Sequence, residues 1–188
     1  MGLDLGLNEA GLRVAVSQDM DKWCIETMRR NSHLAIDGDI RDLIESDPSC
    51  EFFLQASGVT REALFAVVGG PPCQPFSTAG KRKGVEDARG QLYQEFIKVV
   101  SALRPRFFIM ENVKGLASMP CDPADKQSKP VLDTILESFK AIGYHTVHGT
   151  VQNVTRNPQH QVVSRIKLAN GSEQDLVADF VVDATGPA

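Results

Sequence analysis

Short apolar runs alternate along this chain with longer stripes of apolar residues at helical spacing, and few folds accommodate both. Leu64 to Val68 and Arg106 to Met110 are each short enough for a buried strand. Between them, Gln91 to Leu103 places Leu92, Phe96, Val99, Val100 and Leu103 at spacings of four, three, one and three, one face of a helix. Leu132, Ile135, Leu136, Phe139 and Ile142 form a second stripe, stopped by Gly143. Nearer the N-terminus, Leu12 to Ser17 reads as a strand, Asp21 to Asn31 as a helix, and Gly38-Asp39-Ile40 as the close of a second strand. This order predicts an α/β fold with a parallel sheet flanked by helices. The composition changes after about Thr150. There Val162 to Leu168, the turn Asn170-Gly171 and Val177 to Asp183 predict a C-terminal antiparallel β-hairpin.

The chain has 188 residues, enough for one domain with a substantial core. Hydrophobic residues make up 42% and charged residues 23%, which excludes disordered and collagenous classes. No apolar run reaches the roughly 20 residues of a membrane-spanning helix, and the N-terminus lacks signal-peptide character, so a cytoplasmic protein is expected. Cys24, Cys50, Cys73 and Cys121 are irregularly spaced without a C-x-x-C pair, which points to neither a zinc site nor a disulfide framework. A formal net charge of -4 argues against a general nucleic-acid coat, so any DNA contact must be local.

The chemistry concentrates in Gly69-Gly70-Pro71-Pro72-Cys73-Gln74-Pro75-Phe76-Ser77, directly after the Leu64 to Val68 strand. Ligands of open parallel sheets bind beyond the carboxyl ends of strands, which is where a nucleophilic Cys73 would stand. The glycines allow close backbone approach, and the prolines keep the loop from becoming helical. A buried structural cysteine is the commoner role for an intracellular thiol. What favours a site is a second strand end: Arg106 to Met110 runs into Glu111-Asn112-Val113, bringing a carboxyl group to the same edge.

PPCQPFS, the following GKRKGVEDARGQL, and RFFIMENVKGL resemble, in order and spacing, the catalytic motifs of the DNA cytosine-5 methyltransferases. Upstream, GLDLGLNEAG is similar to the end of that family's first cofactor motif, VSQDMDKWCIETMRRN to its second, and DGDIRDL to its third. The resemblance covers residues 2 to about 150 and implies a Rossmann-like, S-adenosylmethionine-dependent methyltransferase sheet acting on double-stranded DNA.

It also implies roles. Cys73, as thiolate, would attack carbon 6 of a flipped-out cytosine, so that carbon 5 can take a methyl group from S-adenosylmethionine. Glu111 would hydrogen-bond the ring nitrogen N3 and the exocyclic amine, a role that suits a buried carboxyl. Asn112 would support the loop holding Cys73. Gln74 and Ser77 would approach the DNA, and Lys81, Arg82 and Lys83, between Gly80 and Gly84, would form a mobile loop closing over phosphates. Outside the motif, three such cations would read as a solvated loop. Arg89 would add a further contact. For the cofactor, Asp19 would meet the ribose hydroxyls, Met20 would pack on adenine, Asp39 and Ile40 would contact its amine and ring, and Pro72 and Leu92 would line the methionine side.

The departures from the family pattern carry expectations too. The aromatic residue and Gly-rich turn that open the family's first motif are missing before Gly2, so the methionine end of the cofactor would lose much of its cradle and activity would be impaired. The family's later Q-x-R-x-R segment is reduced to Pro158-Gln159-His160-Gln161, with Arg165 placed to replace its arginines. A target-recognition region would have to act in trans. Residues 1–150 thus read as a catalytic core and 151–188 as a β-rich tail of different origin. In that tail VVSRIKLANGSEQDLVADFVVDATGPA is similar to the segment leading to the ATG motif of FAD-dependent oxidoreductases, with Asp183 and Gly186 near the flavin. A catalytically inactive DNA-binding remnant and a fragment of a flavin-dependent oxidoreductase therefore stay open as alternatives.

Overall fold

A computed structural model describes residues 2–9, 12–72, 92–121, 125, 127–145, 149–156, 158, 162–168 and 170–178. Helix α1 (Gly2–Glu9) leads to β1 (Ser17–Asp19), α2 (Lys22–Arg30), β2 (Ala35–Asp37), α3 (Ile40–Ser46) and α4 (Glu51–Ser57). Then come β3 (Ala66–Gly69), α5 (Leu92–Leu103), β4 (Phe107–Met110) and α6 (Val131–Ala141). The last three elements are β5 (Gly149–Arg156), β6 (Val162–Leu168) and β7 (Glu173–Ala178).

The parallel pairing predicted from strand-helix alternation is present, but in two pieces among the described residues. β1 pairs with β2 from Ser17↔Ala35 to Asp19↔Asp37, and β3 pairs with β4 from Ala66↔Phe107 to Gly69↔Met110. Parallel partners need a crossover; α2 is the helix lying between β1 and β2, and α5 the one between β3 and β4. The third sheet is antiparallel, in the order β5-β6-β7. The hairpin about Asn170-Gly171 forms with Gly171 at φ 83, and β5 adds a third strand that the sequence pattern does not predict. β7 starts at Glu173, four residues before the strand expected from Val177, because Lys167 pairs directly with Glu173 across the turn. β5 straddles residue 150, where the composition changes.

Boundaries differ elsewhere for local reasons. Leu12 to Ser17 does not form the first strand; pairing begins only at Ser17, whose N–H also donates to the Leu34 carbonyl at 2.9 Å. Asp39 and Ile40 close no strand, because Asp39 caps α3 and its side chain accepts the Arg41 N–H. Asp21 likewise caps α2, accepting the N–H groups of Trp23 and Cys24 at 2.8 and 3.0 Å.

Two apolar clusters meet on α5. Tyr93 and Val100 pack with Leu116, Val131, Ile135 and Phe139, while Val99 and Leu103 pack with Ile44, Cys50 and Leu54. The Phe96 ring lies edge-on to both Phe108 and Phe139, and those two stack at 3.9 Å between centroids. Among the described residues no helix is long and apolar enough to cross a membrane.

Candidate active site

Each parallel pair carries expected site residues at or just beyond its carboxyl end. After β3 and β4 the chain runs into Gly70-Pro71-Pro72 and Glu111-Asn112. The Glu111 N–H donates to the Gly69 carbonyl at 2.9 Å, extending the ladder one step. The Asn112 amide then donates to the Pro71 carbonyl at 3.2 Å, while its own side-chain carbonyl accepts the Val113 N–H at 2.9 Å. Asn112 therefore ties the segment that leads to Cys73 onto the end of β4.

Both glycines here serve their neighbours. A Cβ on Gly69 would stand 2.8 Å from the Phe96 ring, so glycine lets α5 close onto β3. A Cβ on Gly70 would stand 3.3 Å from Oε2 of Glu111, so the Glu111 carboxylate lies against bare backbone. Glu111 is exposed, contrary to the burial expected of it.

At the end of β1, Asp19 accepts the Asp21 N–H at 2.9 Å. The Cys24 thiol sits beside it and is held above its ordinary range chiefly by the negative charge of Asp19. Met20 is 60% exposed and Trp23, one turn along, is 81% exposed. Asp39 receives the Arg41 guanidinium on both oxygens, with Nε at 2.9 Å from Oδ1 and Nη2 at 2.5 Å from Oδ2. That bond holds the Asp39 carboxyl below its usual range. Arg41 is stabilised in turn by Asp39 first and, more weakly, by Asp42 and by Glu95 on α5.

The expected residues that the structure describes therefore fall into two groups: Asp19, Met20, Asp39 and Ile40 about the first pair, and Pro72, Glu111 and Asn112 about the second, with Leu92 opening α5. Arg165 stands apart on β6, where its guanidinium bonds Asp175 of β7 at 2.8 and 3.0 Å. Cys73, Gln74, Ser77, Lys81, Arg82, Lys83 and Arg89 lie outside the described residues, as do Asp183 and Gly186. Among the described residues no cluster of His, Cys, Asp or Glu could hold a metal ion. Sequence reasoning misses Gln18 and Arg41 as candidates, although Arg41 succeeds Asp39 by two residues, where an N-cap and its first turn can pair.

A family model described as C-5 cytosine-specific DNA methylase matches residues 1–161. The chain belongs to that family. Among its relatives, the type II methyltransferase M.AquIA of Picosynechococcus sp. is 36% identical over 154 residues, covering 78% of this chain and 60% of the relative. M.NgoFVII of Neisseria gonorrhoeae is 33% identical over 183 residues, 95% of this chain and 43% of the relative. M.Sau96I of Staphylococcus aureus is 34% identical over 180 residues, 95% and 38% respectively. The chain thus spans less than two thirds of the length of these methyltransferases. The matched residues 1–161 of this C-5 cytosine methylase include both parallel pairs and every described expected site residue except Arg165.

Proposed function

We propose that the chain carries the catalytic part of a DNA methyltransferase that places a methyl group on carbon 5 of cytosine, with Cys73 as nucleophile. The observation carrying this reading is the join between Asn112 and the Pro71 carbonyl, which fastens the approach to Cys73 beside the Glu111 carboxylate. The Cys73 sulfur would bond carbon 6 of the ring, and the electrons of the 5,6 double bond would shift toward carbon 5 and N3. Glu111, in its protonated form, would donate its proton to N3 while its other oxygen accepts from the exocyclic amine, which would offset the charge arriving there. After carbon 5 is methylated, loss of its proton to a base reforms the double bond and releases the thiolate. The cytosine must be out of the duplex for sulfur to reach it.

The residues after β1 and β2 fit the nucleoside of S-adenosylmethionine. The Asp19 carboxylate can accept from ribose hydroxyls, exposed Met20 offers a face for adenine, and Asp39 with Ile40 stands at the adjacent strand end for the amine and ring. Pro72 and Leu92 would line its other end. When bound, that molecule supplies the electrophilic methyl group. Gln74, Ser77, Lys81, Arg82, Lys83 and Arg89 are retained as DNA contacts, and Arg165 as a catalytic residue in place of the family's missing arginines, which would first have to leave Asp175. The relatives' name, type II methyltransferase, supports a modification role beside a restriction enzyme.

Tritiated methyl transfer to mixed-sequence DNA tests the reaction, with the remaining length of a relative supplied in trans as a second arm. DNA containing 5-fluorocytosine tests the nucleophile, because fluorine cannot leave as the proton does and the sulfur stays bonded. A denaturation-resistant adduct is expected with the parent and not with Cys73→Ser. An equal adduct from the serine variant would move the nucleophile elsewhere.

A further inference from the structure

β1 and β2 share three register pairs, the last being Asp19↔Asp37. So short a parallel ladder does little to fix the backbone beyond its end, since parallel pairing is the weaker kind and strands usually run longer. Yet the two carboxylates read as nucleoside contacts, Asp19 and Asp39, both stand at or past that end. Their separation depends on how the chain leaves β2 at Gly38.

Gly38 is clasped by two consecutive residues of β1. Its N–H donates to the Asp19 carbonyl at 3.2 Å, and its carbonyl accepts Nε2 of Gln18 at 2.5 Å. Its φ of 146 belongs to glycine, and a Cβ there would also lie 3.6 Å from the Leu43 side chain. Both polar backbone groups of Gly38 are thus tied to β1 just where Asp39 begins α3. The side-chain tie is part-buried, so water competes with it less than at an open surface.

We infer that Gln18 is a positioning residue for the nucleoside of the cofactor, setting the distance between Asp19 and the Asp39-Ile40 step through the Gly38 carbonyl. The inference rests on the cofactor reading of those residues. Because Gln18 alternates with Asp19 along β1, its side chain leaves the opposite face of the strand and acts through backbone. Without its amide the Gly38 carbonyl loses a partner and the turn can shift. The groups handling cytosine, beyond β3 and β4, are untouched by that change.

The full chain is titrated with S-adenosylhomocysteine and with 5'-methylthioadenosine, which keeps the nucleoside but lacks the amino-acid end. Gln18→Met, similar in shape without the donor, is expected to weaken both ligands by a similar factor, on the order of tenfold, the worth of about one hydrogen bond. Gln18→Lys, which restores a donor, should recover most of the loss. Ile135→Val, a change in the core far along the chain, lowers stability and should leave both affinities in place, which separates positioning from general loosening. Unchanged affinity in Gln18→Met, or a loss confined to S-adenosylhomocysteine, overturns the inference while leaving the cofactor reading standing. If the parent binds neither ligand, the cofactor reading fails and this inference fails with it.

Discussion

Gly70 shows how a single missing side chain can leave room for a group, here one proposed to be catalytic. The Glu111 carboxylate occupies the space a Cβ would crowd, at 3.3 Å, and being exposed it can move away at little cost. Gly70→Ala should therefore change stability by less than about 1 kcal/mol. The same shift displaces the group proposed to bond N3, and misplacement by about an ångström or less costs on the order of 10- to 100-fold in rate. Thermal unfolding together with methyl-transfer kinetics checks both halves; a parent-like rate would mean that the position of Glu111 against Gly70 is immaterial. Sequence alone assigns Gly69 and Gly70 to ligand approach. In the structure their nearest neighbours are Phe96, 27 residues on, and Glu111, 41 residues on, contacts that local pattern does not reveal.

At the scale of elements, α5 and α6 are legible in the sequence because each carries a long apolar stripe, and the structure starts them at Leu92 and Val131. The strands are less so. With three or four residues each in the parallel pairs, they give too few alternations to fix an edge, and Asp39 reads as strand when its carboxylate makes it a cap. α4 leaves no sequence signal because it opens on Cys50, which has φ 55 and no side-chain cap bond. That cysteine is fully buried, and loss of water pushes its thiol up to about 11 from about 9. The folded value lies above the unfolded one, so the stabilisation is complete below about pH 9 and is lost as pH rises from 9 toward 11. Two pKa units correspond to at most about 2 to 3 kcal/mol. Urea midpoints should fall more steeply over that window for the parent than for Cys50→Ala, whose alanine keeps the same backbone cost. Equal slopes would show that Cys50 ionises as freely in the folded chain as in the unfolded one.

At the scale of the molecule, the members of the two apolar clusters among the described residues all lie between Ile40 and Tyr144, and both clusters run through α5. The loci read as cofactor and cytosine contacts hang on strands that flank this region or lie within it, from Asp19 to Asn112. The strands β5, β6 and β7 pair with one another, and the Arg165–Asp175 bond joins two of them. Stability of the α/β part should then depend little on the antiparallel sheet, in keeping with a proposed boundary near residue 150. A chain ending at His145 keeps Tyr144, whose hydroxyl donates to the Pro105 carbonyl at 2.6 Å and whose ring meets Phe108. It is expected to unfold cooperatively with a midpoint within a few degrees of the parent. The one tryptophan, Trp23, sits at the start of α2 beside the proposed nucleoside contacts and reports on that half directly. S-adenosylhomocysteine should raise both midpoints alike, since a ligand at 100 times its Kd adds about 2.7 kcal/mol. A shortened chain that loses its cooperative transition, or keeps it without the ligand shift, would mean that the antiparallel sheet is part of the same folding unit or of the binding site.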